Sequence, residues 1–158
     1  MPRKKRKTNE LWPSFDLTRQ TALSLQLEAL RNNDTPYPDH GVEVCYRFAS
    51  FSPWERSNYF GRNLDLGQFE RFRRVMLSPP FSTLIHHESS EVISSVMVDE
   101  GYYIDRVKVL GRDGKEERSY DFFMVQRVGG HLDGYWLTEK LVSADGETFK
   151  GTMWEGGA

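Results

Sequence analysis

The sequence predicts an α+β fold in which N-terminal helices pack on a curved antiparallel β-meander. From residue 88 to 154 apolar and polar residues alternate, as they do in successive strands. Each break in this alternation contains an acidic residue followed by Gly, at 99–101, 112–114, 129–134 and 144–146. Gly tolerates the positive φ of a tight hairpin turn, so these breaks predict hairpins. Before residue 65 the apolar residues recur at helical spacing instead.

Three helices are predicted before the strands. In the first, over 16–33, Leu23, Leu27 and Leu30 fall on one stripe, and Ser14 or Asp16 serves as the N-cap. Shorter helices follow at 39–49 and 65–77, with one further turn at 81–85. The intervening stretch, 50–64, is a loop, which we expect to pack against the domain because it holds Phe51, Trp54, Tyr59 and Phe60.

Five strands are predicted, at 88–98, 102–110, 117–128, 134–142 and 147–154. Simple alternation along the first strand places Val92, Val96 and Val98 on one face and Ile93 and Met97 on the other. Apolar residues on both faces indicate that both faces are covered. Helices cover one face, and the other requires a partner subunit or the aromatic loop.

The 158 residues suit a single domain over 13–158, preceded by a disordered basic tail over 1–12. No apolar run reaches the roughly 18 residues of a membrane span, which predicts no membrane partner. Cys45 is the only cysteine, which excludes an internal disulfide and suits a reducing compartment. We therefore expect the nucleus or the cytoplasm.

The tail carries five consecutive basic residues, Arg3, Lys4, Lys5, Arg6 and Lys7. Such runs resemble short nuclear-import signals and predict an import receptor as partner; a polyanion-binding tail, a solvated terminus or an added tag are the alternatives. Five of the 21 Lys and Arg residues lie in this run. The rest of the chain has 16 Lys and Arg against 23 Asp and Glu, so its formal charge is about −7. A folded domain with this negative charge repels phosphate backbones, which argues against specific nucleic-acid binding.

Three segments resemble a known family: the stretch 27–50, the run Phe69-Glu70-Arg71-Phe72 and the run Tyr135-Trp136-Leu137-Thr138. Together they are similar to an uncharacterised family of the nuclear transport factor 2-like superfamily, found in photosynthetic organisms and bacteria. The resemblance covers about 16–142. It implies a cone-shaped, cystatin-like α+β fold, often with a cavity between the first helices and the sheet. The superfamily includes isomerases, dehydratases, polyketide cyclases, transport factors and dimerisation modules, so the resemblance does not select a function.

If the chain is an enzyme of this superfamily, a carboxylate in the cavity acts as general base and phenolic donors stabilise an enolate. The catalytic candidates are Asp105, Asp121, Tyr46 and His87. The candidates for binding a small apolar ligand are Tyr46, Tyr103, Tyr120 and Arg127. In the alternative interpretation the two carboxylates face solvent or pair with Arg106 or Arg127 and serve structure alone.

Three other motifs have structural interpretations. Adjacent histidines in His86-His87-Glu88 diverge in a strand, so we expect no metal ion there, and no cofactor is predicted elsewhere. The run 111–115 lacks the spacing of a phosphate-binding loop and is a hairpin turn. Cys45 lies on a helical apolar face, which predicts a buried, inert thiol.

Alternation along the fourth strand puts Trp136, Thr138 and Lys140 on one face. If that face is the outer face of the sheet, these residues form the interface of a homodimer, since members of the superfamily commonly pair sheet to sheet. The central run 122–125 is loaded with large apolar residues, which favours a filled cone. The sequence therefore favours a dimeric interaction module, and the alternative is an isomerase or cyclase with an inward Asp and Tyr.

Overall fold

The computed structural model describes residues 11–52 and 54–144. Its helices are α1 (Arg19–Arg31), α2 (His40–Phe48) and α3 (Phe69–Met76), and a 3-10 turn (Phe81–Leu84) follows α3. A small hairpin, β1 (Arg56–Ser57) with β2 (Leu64–Asp65), lies between α2 and α3. The α+β class with helices before strands is confirmed.

The main sheet is an antiparallel meander of neighbouring strands. Its members are β3 (Ser89–Asp99), β4 (Tyr102–Leu110), β5 (Glu117–Gln126) and β6 (Trp136–Ser143), in that order. These ranges agree with four of the predicted strands to within two residues at each end. The fifth predicted strand, at 147–154, and the basic run at 3–7 lie outside the described residues.

The helix boundaries depend on local hydrogen bonds. α1 begins after Thr18, whose hydroxyl accepts from the Thr21 backbone N–H at 3.1 Å, so neither Ser14 nor Asp16 is the cap. Ser14 instead closes a turn, because its carbonyl accepts from the Leu17 N–H. α2 begins without a side-chain cap from Asp39, which has φ 61°. Within residues 11–52 and 54–144, none of the helices has the length and apolar character of a membrane span.

Gly41 lets α1 and α2 come into direct backbone contact. A Cβ atom at this position would lie 2.2 Å from the carbonyl oxygen of Ala29. Asn33, which is buried, ties the two helices together, since its Oδ1 accepts from the Val42 N–H at 3.0 Å and its Nδ2 donates to Asp39 Oδ1 at 2.9 Å. The start of α2 is therefore fixed by a residue that follows α1.

The hydrophobic core lies between the helices and one face of the sheet, which we call the inner face. In β4 the inner face carries Tyr103, Asp105, Val107 and Val109, and the outer face carries Tyr102, Ile104, Arg106 and Lys108. Fully buried side chains on both sides of this core include Leu30, Phe48, Phe72, Tyr120, Phe122 and Met124. Burial of side chains of this size is the main favourable term for a domain of this length.

A β-bulge in β3 overturns the predicted faces of that strand. Val92 pairs with Val107 on the inner face, whereas Val96 pairs with Ile104 on the outer face. The pairing register shifts between Val92 and Ser94, so one extra residue, Ile93, interrupts the alternation. The prediction that Val92 and Val96 share a face is therefore wrong.

A bulge in β6 overturns the predicted dimer face. Met124 pairs with Thr138 while its neighbour Phe123 pairs with Lys140, which leaves Glu139 as the extra residue. Thr138 is fully buried on the inner face, and the Lys140 ammonium lies 5.2 Å from the Phe123 ring centroid on the outer face. Trp136 packs on Tyr103 of the inner face. The prediction of one outer face for Trp136, Thr138 and Lys140 is wrong.

The two edges of the sheet differ. Along β6, residues 49–52 and 54–59 cover the edge: the Ser50 N–H donates to the Thr138 carbonyl and the Leu141 N–H donates to the Tyr59 carbonyl, both at 2.7 Å. This segment packs down through Tyr59, as predicted, but Trp54 remains 88% exposed, contrary to the prediction. The other edge is β3, whose eleven residues are all exposed. Among the described strands, β3 pairs only with β4.

Candidate functional site

A groove of about 260 Å³ lies between α1 and strands β3 and β4. We call it the α1–β3 groove. One wall is apolar, formed by Leu23 and Leu27 of α1 with Val92 of β3. Arg19, Ser95 and Asp105 form a polar end. The groove opens beside the exposed β3 strand, so a molecule bound in the groove would also contact β3.

Asp105 is the centre of the polar end, and it is only 2% exposed. Arg19 Nε donates to Asp105 Oδ2 at 3.0 Å, and Ser95 Oγ donates to Oδ1 at 2.6 Å. The Arg19 guanidinium also lies 3.8 Å from the centroid of the Tyr103 ring. A carboxylate held by a cation and a hydroxyl has its charge compensated. Asp105 is therefore better suited to anchor Arg19, the first residue of α1, than to act as a general base.

Asp121 does not join Asp105. Arg106 and Asp121 are paired across β4 and β5, whereas Asp105 is opposite Phe122, so the two carboxylates lie on opposite faces of the sheet. Arg106 binds Asp121 as a fork, with Nε to Oδ1 at 2.8 Å and Nη2 to Oδ2 at 3.0 Å. The expectation that both carboxylates point inward is therefore wrong for Asp121. Its pairing with Arg106 is the structural alternative considered from the sequence.

None of the three candidate tyrosines lines the groove, and Tyr103 comes nearest to it through its contact with Arg19. Tyr46 donates to the carbonyl of Gly67 at 2.9 Å, and burial raises the pKa of Tyr46. Tyr120 is fully buried and donates to the carbonyl of Pro80 at 2.6 Å. Tyr103 alone contacts the polar end, through Arg19. The structure thus does not bring Tyr46 or Tyr120 to Asp105.

His87 is buried away from the groove. Its Nδ1 lies 2.7 Å from the Leu84 carbonyl oxygen, which can only accept, so Nδ1 carries the proton. Burial lowers the pKa of His87 and keeps the ring neutral. His86 turns to Asp34, with Nε2 at 2.9 Å from Oδ2. In the part of the chain that the structure describes, no three His, Cys, Asp or Glu side chains are grouped as metal ligands would be.

Two further sequence candidates lie outside the groove. Arg127 is exposed and follows the end of β5 at Gln126. The Cys45 thiol is buried, and burial raises its pKa, so the thiolate that a nucleophile needs is disfavoured. The expectation of a buried thiol at Cys45 is confirmed.

A buried polar contact between α1 and β6 was not predicted. Gln26 Nε2 donates to Thr138 Oγ1 at 2.9 Å, and Thr138 Oγ1 lies 3.3 Å from the sulfur of Met124. Both Gln26 and Thr138 are fully buried. The sequence carries a signal for this contact, since Gln26 lies within the Leu23–Leu30 stripe, and a polar residue on a buried stripe needs a hydrogen-bond partner.

The fold and the site define an α+β domain with a filled interior, an exposed edge strand and a small groove beside that strand. Comparisons with protein-family models, with curated proteins and with solved structures found no match to this chain.

Proposed function

We propose that the chain is a protein-interaction module of the nuclear transport factor 2-like fold and that it acts as a dimer. The observation that carries this proposal is the β3 surface. Five large apolar residues of β3 are between 46% and 60% exposed: Val92, Ile93, Val96, Met97 and Val98. Several exposed apolar side chains on one strand are typical of a protein-interaction site.

The interior supports an interaction module over a small-molecule site. The space between α1 and the inner face of the sheet is occupied by Gln26, Phe122, Met124 and Thr138, all fully buried. An enzyme of this superfamily needs a cavity at that place, and drug-sized ligand cavities measure about 300–1,000 Å³. The α1–β3 groove, at about 260 Å³, lies at the margin of the sheet instead.

A second candidate function is an isomerase or cyclase that uses the α1–β3 groove. Asp105 lies at the polar end of the groove, and Tyr103 is next to Arg19. One carboxylate and one tyrosine therefore lie close to the same end of the groove. A base must accept a proton from substrate, and both Asp105 oxygens already accept from protein donors. This function would therefore require Arg19 or Ser95 to release Asp105 when substrate binds.

Native mass spectrometry distinguishes the two functions. We expect a dimer of two chains with no added mass, because the apolar surface of β3 is satisfied by protein contact. Added mass that is lost on denaturation would favour the small-molecule function. A chain that remains monomeric across a hundredfold range of concentration would contradict the dimer.

We also propose that the basic run at 3–7, which lies outside the described residues, directs nuclear import. Fused to fluorescent proteins large enough to prevent passive entry, the chain is expected to accumulate in nuclei. Replacing Lys4, Lys5 and Arg6 by Ala removes three of the charges that an import receptor binds, so the fusion should become cytoplasmic. Microscopy of living cells measures the ratio of nuclear to cytoplasmic fluorescence.

The matched control removes three exposed basic residues of the folded body, with Arg62, Lys115 and Arg127 each replaced by Ala. It alters net charge equally and should leave the distribution unchanged. If the tail variant and the control behave alike, the import hypothesis is wrong.

A further inference from the structure

Among the described strands, β3 forms an open edge of the main sheet, and its residue pattern is unusual for such an edge. The seven residues from Val92 to Val98 include no charged residue and no proline. Exposed edge strands in monomeric proteins are usually protected by charged residues, especially Lys, or by proline, because unpaired backbone groups recruit other strands. Here the side chains on both faces are apolar as well: Val92 and Met97 lie on the inner face and Val96 on the outer face.

We propose that β3 is the dimer interface and that its occupant is β3 of a second copy, paired antiparallel about a twofold axis. This inference rests on the proposed function and deepens it by naming the surface and the partner. It also replaces the interface predicted from the sequence, which the bulge at Glu139 divides between two faces.

The rest of the described surface argues for a second copy as the occupant. A partner for Val92–Val98 must itself be uncharged and apolar, because an unpaired charge would be desolvated on contact. The other large exposed apolar residues of the described chain lie in other segments: Trp12 and Phe15 before α1, Tyr37 before α2, Trp54 before β1 and Val128 after β5. The surface that matches β3 chemically is β3 itself.

Because the β6 edge is covered, pairing through β3 limits the assembly to two chains. If both edges were open, copies could add without limit, since the contact would repeat from one sheet to the next. Ser50 and Tyr59 already hydrogen-bond to Thr138 and Leu141 of β6, so in the described part of each copy the main sheet offers one open edge, β3. Pairing β3 with β3 uses both open edges and ends the assembly at two chains.

The bulges limit how strong the contact is. The register of β3 shifts at Val92/Ser94 and again at Met97/Asp99, so the regular ladder covers only Ser94–Met97. The remaining contact is side-chain packing, including the α1 surface at the groove beside β3. Contacts below about 1,200 Å² in total are typical of weak complexes. We therefore expect the dimer to have a dissociation constant of about 1–100 μM.

The first test introduces charge into the interface of the full-length chain. Val96→Lys and Met97→Lys, made separately, should each weaken dimerisation at least about tenfold in sedimentation equilibrium, because each places a charge in an apolar contact, and the twofold axis places it there twice. Val128→Lys is the matched control: Val128 is 89% exposed and lies outside β3, so dimerisation should not change. Both interface residues are more than half exposed, so circular dichroism spectra and melting temperatures should be kept.

The second test identifies the occupant. Cys45 is buried, so Val96→Cys gives one accessible thiol, to which a photocrosslinker can be attached. Crosslinks to residues 89–99 of a second copy are expected. Crosslinks from Val96→Cys to residues 145–158 of the same chain would overturn the inference, because that segment would then be the occupant.

The experiments separate the β3 interface from the interaction module. A dimer whose affinity is unchanged by both lysine substitutions would overturn the β3 interface and leave the interaction module standing. A wild-type chain that stays monomeric, with no crosslink between copies, would overturn both.

Discussion

Replacing Arg19 by Ala is expected to lower the free energy of unfolding by about 3–5 kcal/mol, the usual cost of breaking a buried ion pair. Arg19 is the cation bound to Asp105, and the two side chains are only 12% and 2% exposed. Without Arg19 the carboxylate is left buried with the Ser95 hydroxyl as its remaining side-chain donor. Urea unfolding followed by circular dichroism measures the loss.

The outer face provides a matched control for this prediction. Arg106 and Asp121 form the same kind of fork, but Arg106 is 46% exposed, so water can solvate Asp121 when Arg106 is removed. Arg106→Ala should therefore cost only about 0–1 kcal/mol, as exposed pairs do. Equal losses of unfolding free energy in the two variants would mean that burial does not set the cost of breaking the Arg19–Asp105 pair.

Gly41→Ala is expected to destabilise the domain by about 3 kcal/mol, at the upper end of the usual cost of overpacking. Gly41 is inside α2, where Ala normally stabilises a helix by about 1 kcal/mol relative to Gly. Here the new Cβ would lie 2.2 Å from the Ala29 carbonyl oxygen and 2.7 Å from Asn33 Oδ1. The first of these atoms belongs to backbone, so α1 and α2 must move apart.

Thermal and urea unfolding of Gly41→Ala would give this cost. Ser24→Ala, at an exposed position of α1, is the control and should change stability by less than about 0.5 kcal/mol. Adding Ala29→Gly to Gly41→Ala should not rescue it, because the obstructing atom is a main-chain oxygen. A Gly41→Ala variant as stable as the wild type would show that the two helices can separate at no cost.

The class of the fold and the positions of its strands were predictable because their signals are local. Period-two alternation and acidic-Gly turns are contained in a few residues each, and β4 was predicted to the residue. The faces of the strands were not predictable in the same way. A single inserted residue, Ile93 in β3 or Glu139 in β6, reverses the alternation beyond it, and no residue type marks a bulge.

The site was predictable only in part, since Asp105 was identified but its partners were not. Arg19 is 86 positions away from Asp105, and their contact depends on how α1 lies across the sheet. For Tyr46 and Tyr120 the partners are main-chain carbonyls of Gly67 and Pro80, which have no signature in the sequence. Residue type suggested hydroxyl donors for a ligand, whereas tertiary packing uses them to hold loops.

The contact between Gln26 and Thr138 has a consequence for how the chain matures on the ribosome. It joins the first helix to the last described strand across 112 positions, so it can form only after nearly the whole described sequence has been synthesised. Until then the part of α1 around Gln26 has no β6 to pack against, although β3 and β4 precede β6 in the chain. Nascent chains that expose apolar surface for so long are substrates for chaperones. Of the described elements, β6 is thus both the last to be synthesised and the one that completes the core beneath α1.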